Sequence, residues 1–159
     1  MKKSNIMLSV ILVGVLLGID LGLKYLVSSY LTTINIIDNF FSLTYVLNDG
    51  AAFSLFASRT YLLILIALLC LAFIIYELKN NLDDRILCIG YSLALAGLLG
   101  NLVDRLLDGY IVDYLSFKIL GYNYPIFNLA DILIVVGIVI VIIKEILKER
   151  GKKYEVRSK

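Results

Sequence analysis

Residues 6–26 read IMLSVILVGVLLGIDLGLKYL, twenty-one positions carrying two charges, Asp20 and Lys24, both toward the far end. A run this long and apolar matches the roughly 20 residues an α-helix needs to cross a bilayer core. Three further apolar stretches follow, at about 61–76, 86–103 and 129–147. Inside hydrocarbon every backbone N–H and C=O is bonded within the protein, which leaves helices or closed barrels, and these runs lack barrel alternation. The sequence therefore predicts an all-α integral membrane protein with four transmembrane helices, in a single domain over 1–159.

Composition agrees. The chain is 60% hydrophobic and 18% charged with one proline, a balance far from that of an ordinary soluble domain. Four crossings with short connections use up this length and leave no separate soluble domain. The Met1-Lys2-Lys3 start imitates a secretory signal, yet no small-residue cleavage pattern follows and the run continues into Asp20–Lys24, so the first helix is expected to stay uncleaved.

Orientation follows from the basic residues, because Lys and Arg near helix ends stay on the cytoplasmic side. Lys2, Lys3, Lys79, Arg85 and seven residues from Lys144 to Lys159 place eleven of fifteen on one side. Lys24, Arg59, Arg105 and Lys118 fall on the other. Both termini are thus expected to be cytoplasmic, with outward loops at about 27–60 and 104–128 and a solvated basic tail at 148–159. The net charge of +2 reports topology, and no nucleic-acid partner is expected.

In the first outward loop, Ile34, Ile36, Phe40, Leu43, Tyr45 and Leu47 alternate with polar neighbours, so residues 32–53 predict short strands with Asn48-Asp49-Gly50 as a turn. A small extramembrane β-sheet between helices 1 and 2, lying on the membrane, is the expectation. In helix three, Ala96 and Gly100, with Gly97 adjacent, form a small-residue face for close helix packing. Cys70 and Cys88 sit at unequal depths in helices two and three, so no disulfide is implied.

Ionisable groups in membrane segments are expensive and point to function or to partners. Asp20 and Lys24 are spaced i, i+4 and pair on one helical face, a structural arrangement when taken alone. Asn101, Asp104 and Arg105, spaced i, i+3 and i+4, share a face at the outward end of helix three beside Gly100. They read as a carbonyl-recognising group or as a plain ion pair. Asp113 and Asp131 flank the second outward loop, with Asn128 three residues before Asp131. Isolated aspartates there read as helix caps or loop charges. Brought together, they do chemistry: two close carboxylates share a proton, leaving one charged to take a proton from water and one neutral to hydrogen-bond a peptide carbonyl. Absences narrow the options. There is no histidine, no outward cysteine and no Gly-rich phosphate loop, which removes Ser-His, Cys-His and histidine-metal arrangements.

Five motifs carry a resemblance: Asp20-Leu-Gly-Leu-Lys24, Asn48-Asp-Gly-Ala-Ala-Phe-Ser54, Gly100-Asn-Leu-Val-Asp-Arg105, Val112-Asp-Tyr114 and Phe127-Asn-Leu-Ala-Asp131. In order and approximate spacing they resemble the lipoprotein signal peptidases, or signal peptidase II, over nearly the whole chain. The resemblance implies an aspartic endopeptidase of the bacterial cytoplasmic membrane. It would cleave diacylglyceryl-modified prolipoproteins just before the lipidated cysteine, at a site opening to the outer leaflet. It implies Asp113 and Asp131 as the catalytic dyad, Asn48, Asn101, Arg105 and Asn128 lining the substrate site, and Asp20, Lys24, Gly100 and Asp104 supporting it. No metal or cofactor is implied. The partners are prolipoproteins, membrane lipids and the inhibitory cyclic peptide globomycin, and a monomer is expected. Tyr114 stands where the family commonly has phenylalanine, and no tryptophan precedes Pro125 where relatives often have one. Two rival readings remain open at this point: a small transporter or proton-coupled channel lined by the same charges, and a non-enzymatic assembly or lipid-binding protein.

Overall fold

The computed structural model describes residues 2–30, 32–50 and 59–157, with side chains as far as 151. In chain order the elements are α1 (Lys2–Tyr30), β1 (Ile34–Ile37), β2 (Phe41–Asn48), α2 (Thr60–Asn80), α3 (Arg85–Leu107), β3 (Ile111–Ile119), β4 (Tyr122–Asn123) and α4 (Leu129–Arg157). Residues 51–54 of the Asn48 motif lie outside the described residues, as does the rest of the first loop up to 58.

Helix α3 forms the centre, and α1, α2 and α4 all pack on it. Its small residues admit this: Gly90, Ala94, Ala96, Gly97 and Gly100 are all buried. A Cβ on Gly137 of α4 would stand 2.5 Å from the Gly90 carbonyl, and one on Gly97 would overlap the Ala130 carbonyl. The small-residue face therefore does pack a helix, and its tightest contacts with α4 are made at Gly90 and Gly97. Gly100 makes room for a different helix, since a Cβ there would overlap the Asp20 carboxylate of α1.

Helix α1 is inside out by the standards of a protein in water. Every buried residue of α1 is polar, Asn5, Ser9, Asp20 and Lys24, while Met7 and Val10 are 62% and 67% exposed. A soluble helix buries its apolar stripe and wets its polar one. Here hydrocarbon is the solvent, and the membrane location of the chain follows. Among the described residues, three helices, α1, α2 and α3, are long and apolar enough to cross a membrane. In α4 the uninterrupted apolar run is 132–143, bounded by Asp131 and Lys144. The helix also outlasts the expected limit of 147, continuing to Arg157 through a segment rich in Lys, Glu and Arg despite Gly151, with Lys148 paired to Glu145 at 3.2 Å.

At one end of the bundle lies an antiparallel sheet in the order β1-β2-β3-β4. It is not confined to the connection between α1 and α2, as the sequence predicts; half of its strands come from the connection between α3 and α4. Ile111-Val-Asp-Tyr-Leu-Ser-Phe-Lys-Ile119 is rich in β-branched and aromatic residues, and it finds its partner in β2 across more than sixty positions of chain. The hairpin turn is also elsewhere. It occupies 38–40, with Asn39 left-handed at φ 56°, and β2 runs on through Asn48. Asparagine tolerates that conformation better than most residues. Phe41 stacks on Phe117 with ring centroids 4.7 Å apart, and Phe117 on Phe127 at 5.7 Å, which carries the sheet to the start of α4.

Candidate active site

The register of β2 on β3 places Val46 opposite Asp113 and Asn48 opposite Ile111, so the end of one strand meets the aspartate of the other. Asn48 Nδ2 donates to Asp113 Oδ2 at 2.8 Å, while its Oδ1 accepts from the Gly50 amide at 3.0 Å. The Asn48-Asp49-Gly50 segment is thus an Asx-type turn that follows the strand and orients the amide. Arg105, from the end of α3, donates from Nη2 to the Gly50 carbonyl at 2.8 Å and tethers this loop over the bundle end.

Asn128 precedes the first residue of α4 and behaves as its N-cap. Its Oδ1 accepts from the Asp131 amide at 3.0 Å, and Asp131 Oδ2 accepts from the Asn128 amide at 3.2 Å, the reciprocal pattern of a capping box. The cap reading of Asp131 is therefore right as far as it goes. The same asparagine is wholly buried, and its Nδ2 donates to Asp113 Oδ1 at 2.8 Å, to Asn101 Oδ1 at 3.2 Å and to the Val112 carbonyl at 3.3 Å. Asn128 thereby holds both aspartates. Asn101 Nδ2 completes the cage, donating to Asp131 Oδ1 at 2.7 Å.

Beneath this cage Lys24 is the hub. Its buried ammonium lies 2.9 Å from Asp20 Oδ2, 3.0 Å from Asp104 Oδ2 and 3.0 Å from Asn101 Oδ1, so three donors meet three acceptors. Asp20 Oδ1 accepts from the Ala130 amide at 2.9 Å, and Asp104 Oδ2 accepts from the Val112 amide at 3.2 Å. Asp104 thus pairs with Lys24 across helices rather than with its chain neighbour Arg105. The ten residues singled out in the sequence converge on one end of the bundle, with Gly100 clearing the space for Asp20 and Arg105 touching the loop above. Reading the sequence missed the backbone partners, Gly50, Val112 and Ala130, for which no side-chain signal exists. It also gave Tyr114 no role, yet its hydroxyl accepts from the Leu129 amide at 3.2 Å and burial pushes the phenol up to about 12.

Four carboxylates here face two cations, Lys24 and Arg105, an imbalance that favours protonation of one acid. Asp113 is 2% exposed, and burial pushes its carboxyl from the ordinary 3.8 up to about 6. Bonds from Asn48 and Asn128 pull it back, while the charge of Asp131 adds to the rise. A carboxyl raised by folding stabilises the fold fully below its unfolded value and loses that contribution as pH rises through the folded one. The shift corresponds to about 3 kcal/mol. The melting temperature of the wild type in detergent should therefore fall, relative to that of Asp113→Asn, between about pH 4 and pH 7. Parallel profiles for the two proteins would rule out a carboxyl at Asp113 raised by burial.

The family described as Signal peptidase (SPase) II matches residues 12–147. The lipoprotein signal peptidase of Syntrophus aciditrophicus is 34% identical over 159 residues, covering 94% of this chain and 99% of that protein. That of Brucella ovis is 36% identical over 157 residues, covering 96% and 98%. A bacterial membrane enzyme solved by the in meso method at 2.3 Å resolution superposes with a TM-score of 0.84 at 29% identity, covering 93% of this chain and 92% of its own. With a match that spans the helices and the network at their end, the chain belongs to the signal peptidase II family of lipoprotein signal peptidases.

Proposed function

We propose that the chain is a membrane aspartic endopeptidase that removes the signal peptide from diacylglyceryl-modified prolipoproteins, cutting just before the lipidated cysteine. The observation that carries this reading is Asn128, one buried side chain and its own amide bonded to both Asp113 and Asp131. In the reaction, the ionised aspartate takes a proton from water as the water oxygen attacks the peptide carbonyl. The protonated aspartate hydrogen-bonds the carbonyl oxygen, and collapse of the tetrahedral intermediate breaks the C–N bond with a proton passing to the leaving amine. Which aspartate starts with the proton is a property of the pair. Asn48, Asn101, Arg105 and Asn128 position the substrate backbone, and Asp20, Lys24 and Asp104 hold them from below. The chemistry uses no metal, so activity in EDTA is expected.

In this reading α4 is the fourth crossing, both termini are cytoplasmic and the site lies at the outer leaflet of the bacterial cytoplasmic membrane. That placement suits the substrate, since drawing acyl chains into water costs about 0.8 kcal/mol per methylene and a site within the bilayer avoids it. A transporter would need ionisable groups along its depth, whereas this network sits at one end. Globomycin is the expected inhibitor and a monomer the expected working unit. The test is cleavage in detergent or lipid with EDTA present: the diacylglyceryl-modified precursor should be cut at least about tenfold faster than its unlipidated form. Equal rates would remove lipid recognition from the proposal.

A further inference from the structure

A groove of about 930 Å³ lies between α2 and α4 with α3 as its floor, and no step of the proposed chemistry uses it. Its walls are apolar, among them Leu69, Phe73, Leu98, Ile134 and Ile138. Leu98 lies three residues before Asn101, and Ile134 three residues after Asp131, so the groove opens one helical turn below the carboxylates. Its far end is polar and includes Glu77, Asn81, Glu145 and Lys148, the last two of which neutralise each other as a pair. From Asp131 to Glu145 is fourteen residues of α4, about 21 Å at 1.5 Å per residue.

Those dimensions and that polarity match one kind of occupant. A secretory signal peptide has a positively charged n-region, then an apolar stretch of roughly 7–15 residues, then its cleavage site, and as a helix that stretch is about 10–22 Å long. Charge points the same way. Asp83, Asp84 and Glu145 each hold a cation, Lys2 at 3.0 Å, Lys144 at 3.3 Å and Lys148 at 3.2 Å. Glu77 holds none among the described residues. It is fixed instead by neutral partners, the Asn81 amide at 3.3 Å and the Tyr91 hydroxyl. A carboxylate so placed in a groove at the cytoplasmic edge is ready for a cation from outside the chain.

We infer that this groove seats the apolar helix of the signal peptide, and that Glu77 binds the basic residues before it, making cleavage depend on n-region charge. The inference rests on the peptidase reading and adds to it a specificity determinant remote from the reacting atoms. The experiment compares two diacylglyceryl-modified prolipoproteins that differ only in n-region lysines or glutamines, cut by wild type, Glu77→Gln and Glu77→Asp. For a partly exposed ion pair the wild type should favour the lysine substrate roughly twofold to fivefold in kcat/KM, through KM. Glu77→Gln should bring that ratio to about one, and Glu77→Asp should keep most of it. A wild type indifferent to n-region charge, or a ratio unchanged in Glu77→Gln, overturns the inference while leaving the peptidase reading intact. A wild type that cuts neither substrate overturns both.

Discussion

Asp113→Asn and Asp131→Asn should each lower cleavage of a lipidated prolipoprotein by about 10²–10⁴-fold, the usual worth of a positioned acid or base. Asparagine keeps the shape and one acceptor but cannot exchange a proton, so the loss isolates the proton-transfer role. The two variants should part company in stability. At Asp113, an amide presents an NH₂ group toward Asn48 Nδ2 or Asn128 Nδ2, losing one bond, but it also removes a buried charge that the fold resists. At Asp131, the substitution weakens the capping box of α4, at a cost of about 1 kcal/mol. Near pH 7 Asp113→Asn should therefore melt higher than Asp131→Asn, with both monodisperse by gel filtration. Two folded variants that still cut at near wild-type rates would end the aspartic mechanism and reopen the transporter and binding-protein readings.

The parts of this site that are legible in the sequence are those whose geometry is local. Asp20 and Lys24 sit one turn apart on a helix, so their pairing follows from spacing alone, and the 2.9 Å contact bears it out. The shared face of Asn101 and Asp104 follows in the same way. What spacing cannot provide is the partner across the bundle. Asp104 has a guanidinium beside it in the chain yet bonds Lys24, eighty residues away, because Lys24 enters the interior where Asp104 points and Arg105 turns up to the loop. The sheet shows the same limit. Residues 34–47 alternate and are readable as strands, while 111–119 draw the eye only for their aspartate, although their β-branched and aromatic content carries a strand signal. Two turn signals compete in the first loop. Asp38-Asn39 takes the hairpin because the strands need a left-handed residue there, and Asn48-Asp49-Gly50 becomes the Asx turn that aims Asn48.

Lys24→Met should be the most destabilising conservative change in the helices. The methionine fits the space of the stem but leaves Asp20, wholly buried, and Asp104, 7% exposed, without their common cation. Removing one partner of a buried ionic cluster costs about 3–5 kcal/mol, because the surviving charges keep their desolvation penalty. For a chain of this length that is a drop in melting temperature of roughly 6–20 °C. Converting the acids as well should restore much of it, since Asp20→Asn and Asp104→Asn remove the orphaned charges, and a neutral buried network is often as stable as an ionic one. A Lys24→Met protein that melts within a degree or two of wild type would show that the cluster does not hold α1 to α3. The triple variant then separates holding from aiming. Lys24 Nζ and Asn128 Nδ2 both donate to Asn101 Oδ1 and so fix which way that amide faces, with Nδ2 reaching Asp131 Oδ1. Without that ammonium the Asn101 oxygen keeps only the Asn128 donor, and the amide's grip on Asp131 loosens. The triple variant should thus be folded and still slow, with the deficit in kcat rather than KM.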